Sequence, residues 1–443
     1  MEILAEKIVT AKNTSSKTID FSPLDLFVMG HSLHGPVLGF DKSIDFSRFV
    51  NCVEIALRAN PEMGSTIDID ARGHHRLRTG AGIPVTLQRA SGPMPSSHAI
   101  GTLPLSEFPL AHPPMAPEDV VKNSLPLLAF RITMFDDERC ILGIRTTHSH
   151  IDGCSLTQFI VNLGEIYNGG EAVEGKTGRD RIADLGQGDG SNPSTALHLM
   201  KIEEVAAPQE ESESTLKSAH SQIVLDRELF ETYVDKAKYE RPGITTSDIV
   251  CALAWKSWAL ASPINQGSFR LYSVFNLRQL DELGIGMNYQ GNAVIDRCAE
   301  LNRTQLHSYS IADIALRYRQ QIKPLKASEV AQDIAFIARQ FKERAYGQNG
   351  LYKGFVRRFL IDMMSGQGIA VNDLRLLPLH RIKFESKALW YESGQNLDGV
   401  RNYIEVTRRS DGNTVFHCHS LAEEADRFEW ELRKLIASSY IYC

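Results

Sequence analysis

Residues 140–167 read CILGIRTTHSHIDGCSLTQFIVNLGEIY, and this stretch decides the fold. Cys140 to Thr147 is apolar and β-branched, as is Leu127 to Phe135 on the other side of Asp136-Asp137-Glu138-Arg139. Two such runs joined by a short polar turn predict an antiparallel hairpin. From Ser155 to Tyr167 the apolar residues fall at 156, 159, 160, 163 and 166, the stripe of a helix. His148 and His150 therefore sit on a strand-to-helix loop that closes with Asp152 and Gly153.

The spacing His148-x-x-x-Asp152-Gly153 has a chemical reading. An imidazole works as a general base only when its tautomer and orientation are fixed, and a loop held by a buried carboxylate and a glycine turn supplies both. Taken alone, the pattern fits a loop with a satisfied core histidine equally well, so its surroundings must decide.

Upstream, Ile44 to Ala59 carries apolar residues at helical spacing and Pro61 follows where a helix ends. Downstream, residues 168–215 turn polar and Gly-rich, then acidic, without sustained apolar periodicity. That predicts an exposed crossover linker over 181–214, between a first domain of residues 1–180 and a second of 215–443. In the second half, Thr245-Thr246-Ser247-Asp248 reads as a capping box opening a helix through Ala259. Further helices are expected over 311–323, 328–346 and 421–437, with strands at 272–275 and 403–407. Each half is thus α/β with mostly antiparallel pairing.

Composition narrows the function classes. The 443 residues hold 48 Lys+Arg and 54 Asp+Glu, a net charge of -6, and 43% hydrophobic residues. This is globular, not disordered, and lacks the basic tracts that a nucleic-acid partner requires. No apolar run reaches the ~18 residues of a membrane span, and Glu2 and Glu6 oppose a secretory signal. The seven cysteines are scattered, odd in number and without a CxxC pair, which fits reduced thiols in a cytoplasm-like compartment; a monomer is expected.

Several motifs mislead. Gly170 to Thr177 satisfies the phosphate-loop expression, but a helix precedes it where a strand is needed, and Glu171 and Glu174 oppose phosphate. His417-x-His419 puts two imidazoles on one face of a strand, short of the three or four ligands of a zinc site, so a half-exposed strand and no metal are expected. His34 is a candidate pocket wall, and Cys154 is expected to be a small buried hydrophobe.

The order of segments around the loop resembles the BAHD acyltransferases, within the chloramphenicol acetyltransferase-like superfamily. His148 to Gly153 matches their HXXXDG after a strand, and Ser22-Pro23-Leu24-Asp25 is similar to their opening S-x-x-D. Thr245 to Trp255 resembles a Ser/Thr-led helix ending in Ala-x-x-Trp, and Val274 to Arg278 a strand ending in Arg. Asn288 to Ala293 resembles their Tyr-Phe-Gly-Asn segment, and Asn372 to Leu379 stands where they carry Thr-Ser-Trp…Leu-Pro.

The resemblance implies two chloramphenicol acetyltransferase-like domains, an active-site channel at their interface, and a segment near 383–405 crossing back to the first domain. It implies transfer of an acyl group from acyl-CoA, a co-substrate and not a bound cofactor, to a hydroxyl or amine of a small molecule of specialised metabolism. His148 would be the base, Asp152 a structural partner of Arg278, Gly153 the turn into the helix, and Asn372 a candidate oxyanion donor. Thr245, Thr246 and Ser247, at a helix N-terminus that favours anions, and Asn292 would meet acyl-CoA. One departure is plain: the family's Asp-Phe-Gly-Trp-Gly is Lys383-Phe384-Glu385-Ser386-Lys387 here, which points to a divergent branch. A carrier-protein-dependent condensation enzyme and a non-catalytic binding protein of the same fold remain as alternatives.

Overall fold

The computed structural model describes residues 1–11, 15–28, 35–71, 73–97, 99, 115–175, 178–191, 193–194, 199–201, 218–264, 267–322, 325–343, 355–392 and 402–438. His31, His34, Lys176, Thr177 and residues 344–346 lie outside them. Two six-stranded mixed sheets organise the chain. The first runs in the order Glu2–Val9, Ile83–Arg89, Ala129–Met134, Cys140–Arg145, Val37–Phe40, Ala388–Glu392. Its joins are antiparallel except that between Ile83–Arg89 and Ala129–Met134. The hairpin is present, with Met134 opposite Cys140.

The second sheet runs Ser218–Leu225, Thr414–Leu421, Tyr403–Arg408, Gly368–Asp373, Ser268–Asn276, Val294–Asn302. Gly368–Asp373 pairs parallel on both sides and the remaining joins are antiparallel. Alternation along these strands separates two faces. Ile223, Leu271, Ile369, Val371, Ile404, Val406, Phe416 and Cys418 share one core with the helices Thr246–Ala261, Ile311–Ile322 and Ala422–Ser438. His220, Gln222, Asn372, Tyr403, Glu405, His417 and His419 take the alternate positions, making the opposite face polar.

In the first sheet, Phe40, Val85, Phe130, Ile132, Leu142 and Ile144 pack against the helices Phe46–Ala59 and Gly153–Tyr167. A third core belongs to neither sheet alone: Leu24, Phe27 and Ile182 pack with Leu277, Tyr289, Ile295, Val330 and Ile334. It welds the two halves beneath the His148 loop.

Two expectations need correction. The helix Arg179–Leu185 runs across the expected start of the exposed linker at residue 181, the strand Leu199–Lys201 lies within it, and Arg179 and Ile182, on either side of that boundary, are fully buried. Hydropathy gives no sign of this, because the buried surface rests on one apolar residue and one arginine whose charge is neutralised in the interior. The segment near 383–405 also divides: Ala388–Glu392 forms the outer strand of the first sheet, whereas Tyr403–Arg408 belongs to the second.

The altered segment 383–387 anchors the far end of the helix Gly153–Tyr167. Phe384 is buried with its ring 5.4–5.6 Å from those of Phe40, Phe49 and Tyr167, all edge-on. Tyr167 donates to Glu385 at 2.7 Å, and Asn168 donates to the Lys383 carbonyl at 3.1 Å. Gly164 lets that carbonyl close in, since a Cβ there would stand 2.5 Å from it. Gly164 lies three turns from Gly153, roughly 16 Å along the helix at 1.5 Å per residue. The substitutions therefore change a packing joint remote from His148.

Candidate active site

The loop after Cys140–Arg145 presents its two histidines very differently. His150 is fully buried, its Nε2 lies 2.9 Å from the Glu62 carbonyl, and burial pulls its titration down to about 4. It stays neutral and out of reach of solvent. His148 is partly exposed, so its ring can meet a substrate.

Asn292 sets the state of that ring. Its side-chain nitrogen donates to Asp25 Oδ1 at 2.9 Å and to the His148 carbonyl at 2.7 Å. Both acceptors lack protons, so the remaining Asn292 oxygen, 3.0 Å from His148 Nδ1, can only accept. The imidazole proton is thereby assigned to Nδ1 and the lone pair to Nε2, the tautomer a general base needs. This corrects the assignment of Asn292 to acyl-CoA. The residue is fully buried, and its amide is engaged wholly within the protein.

Asp152 does not touch His148. It caps the helix Gly153–Tyr167 by accepting from Ser155 N at 2.9 Å, and accepts from Ala293 N at 2.9 Å. Arg278 grips both its oxygens, at 2.8 and 3.1 Å. Burial alone would raise the Asp152 carboxyl; Arg278 and the two N–H donors outweigh it and hold the group below the usual carboxylate range. Arg278 is equally buried and also donates to Ser155 Oγ and to the carbonyls of Tyr289 and Gly291. The ion pair thus joins the loop of the first half to the strand end and following loop of the second.

A second buried ionic group stands beside it and was missed from sequence. Arg179 pairs with Asp25 and with Glu62, the latter at 3.3 Å, and donates to the His150 carbonyl at 2.9 Å. Asp25 in turn accepts from the Asn292 backbone and side chain and from Ser22. A continuous polar chain therefore runs from Arg179 through Asp25 and Asn292 to His148. Ser22 and Asp25 were visible as a motif without a role, while an isolated arginine in a polar stretch carries no sequence signal.

A model described as the Transferase family matches residues 109–363 of the chain. The chain belongs to this family, the BAHD-type acyltransferases. Spermidine coumaroyl-CoA acyltransferase of Arabidopsis thaliana is 22% identical to it over 371 residues, 79% of this chain and 77% of that one. Vinorine synthase superposes with a TM-score of 0.70 at 15% identity, covering 98% of each chain. TRI101 of F. graminearum, solved with coenzyme A and T-2 mycotoxin, gives 0.70 at 13% identity over 93% of this chain and 96% of that one. The two-domain chloramphenicol acetyltransferase-like fold follows from these superpositions.

In this BAHD-type chain Asn372, Thr245 and Ser247 have their hydrogen-bond partners elsewhere in the second half. Asn372 lies on the polar face of the second sheet and donates to Tyr403 Oη at 3.2 Å; among the described residues no hydrogen bond joins it to the His148 loop. Thr245 caps the helix Thr246–Ala261 in the expected capping box with Asp248. Its hydroxyl donates to Asp248 at 2.7 Å, and that of Ser247 donates to Asp373 at 2.6 Å. A hydroxyl proton directed at a carboxylate does not serve a phosphate. An anion at this helix end would meet backbone N–H groups and the Thr246 side chain, not those two hydroxyls. Cys154 is buried, and burial raises its thiol, which removes it as a nucleophile.

The Asn292 assignment makes a distinguishing prediction. Asn292→Ala should lower kcat for acyl transfer by about 10²-fold, the low end for a general base left present but unoriented. KM for the acyl donor should barely move in steady-state thiol-release assays. A raised KM with kcat intact would restore the donor-binding role.

Proposed function

We propose that the protein transfers an acyl group from acyl-CoA to the hydroxyl or amine of a small molecule of specialised metabolism, acting as a cytoplasmic monomer. The observation that carries this reading is the Asn292 contact that leaves His148 Nε2 unprotonated on a partly exposed residue. His148 Nε2 takes the proton from the acceptor as its oxygen or nitrogen attacks the thioester carbonyl. The tetrahedral adduct collapses with cleavage of the C–S bond, and the imidazolium returns the proton to the departing thiolate. Acyl group and proton balance without a covalent enzyme intermediate. Asp152 and Arg278 hold the loop and do not take part in the bond changes.

Support for CoA as carrier comes from the relatives: one is named for a coumaroyl-CoA donor and another was solved with coenzyme A. Support for hydroxyl and amine acceptors is chemical, since Nε2 deprotonates either. The test is a panel of acyl-CoA thioesters offered with candidate alcohols and amines, polyamines included. Thiol release should match ester or amide formation mole for mole by mass spectrometry. Turnover only from an acylated carrier protein would replace this reading with the condensation-type one, and no product from either donor would favour a binding protein.

A further inference from the structure

The polar face of the second sheet holds a cluster that acyl transfer does not use. His220 and His417 come from neighbouring strands of that sheet, and Glu392 reaches them from the outer strand of the first. One ligating atom from each lies within 4.8 Å of the other two.

We propose that His220, His417 and Glu392 bind a zinc-class divalent transition-metal ion that ties the strand Ala388–Glu392 to the second sheet. Glu392 and His417 are buried, and Glu392 Oε2 stands 3.3 Å from His417 Nδ1, with neither atom making a hydrogen bond among the described residues. Two ligand atoms about 2.0–2.2 Å from a tetrahedral zinc lie about 3.4 Å apart, so this separation is that of one edge of a coordination shell. The outer partners are also in place. His417 Nε2 is 2.8 Å from Thr407 Oγ1, and donation there turns the Nδ1 lone pair toward Glu392. Gln222 donates to the other Glu392 oxygen. Imidazoles and carboxylates that ligate metals are held by such second contacts.

The donor set suits zinc, with two imidazoles and one carboxylate leaving a position for water. His419 stands next to the group, its ring 4.5 Å from that of His220. From sequence, His417-x-His419 offers only two ligands; the others arrive from strands distant in the chain.

The test uses the full chain stripped with EDTA and titrated with zinc against a chromophoric chelator. One zinc per chain should bind and raise Tm. His417→Ala and the nearly isosteric Glu392→Gln should each weaken binding at least tenfold, while His148→Ala leaves it unchanged. X-ray absorption of the zinc-loaded protein should show nitrogen and oxygen neighbours only. Substoichiometric zinc, unchanged affinity in Glu392→Gln, or sulfur neighbours from the cysteines would overturn the site. Binding without a rise in Tm would overturn the tie between the sheets. Should His417→Ala fail to fold, Glu392→Gln and the absorption spectrum still decide.

Discussion

His148→Ala should reduce acyl transfer by about 10²- to 10⁴-fold while leaving the circular dichroism and Tm of the protein unchanged. His148 is partly exposed, and its bonded partner Asn292 keeps two other contacts, to Asp25 and to the residue-148 carbonyl. Losing the imidazole thus removes the base without opening the core. His150→Ala should behave in the opposite way, losing stability and retaining most of its turnover. A neutral His150 in the fold binds its proton near pH 4, against about 6.5 in the unfolded chain, so the unfolded state takes up protons first as pH falls. Native stability should decline between about pH 6.5 and 4 by roughly 3 kcal/mol from this group, and His150→Ala should flatten that decline. If His150→Ala abolishes turnover and His148→Ala does not, the base is the other histidine.

Asp152→Asn should destabilise the protein by about 3–5 kcal/mol, because Arg278 would be left charged in the interior without its carboxylate. Urea unfolding measures this loss, and activity should fall with it as the loop carrying His148 loosens. Arg278→Met carries its own cost, since the carbonyls of Tyr289 and Gly291 lose the arginine and keep only Ser155 Oγ as donor. Combined, the two changes should cost less than the sum of the single ones, and strict additivity would refute the pairing. The depressed Asp152 carboxyl also sets the pH window. Its contribution is complete above the unfolded value near 4 and disappears as pH falls through the lower folded value.

The hairpin, the loop and the helix after it were legible because their signals are periodic and local. So was the Asp152–Arg278 partnership, through the resemblance to a family and not through spacing. Arg179 was not legible, since its burial depends on Asp25 and Glu62, both far away in sequence. Asn292 was read as a contact for substrate when its neighbours on three sides are Asp25, His148 and the protein interior. The histidine pair at 417 and 419 looked half-exposed because alternation names a face but does not say what covers it. Here the cover includes Glu392, from the other sheet.

The strand Ala388–Glu392 also dictates when the protein can fold. Val37–Phe40 is made early by the ribosome, but its outer neighbour is supplied only after most of the chain has been synthesised. Until then the first sheet carries an uncapped edge that can pair with another chain. The nascent first half is therefore exposed to wrong pairing until that strand arrives, and closure of the sheet requires a contact of very long sequence separation. Expressing the halves as separate polypeptides would leave the amino-terminal piece with that edge permanently open, so soluble, correctly paired protein requires both pieces in the same cell.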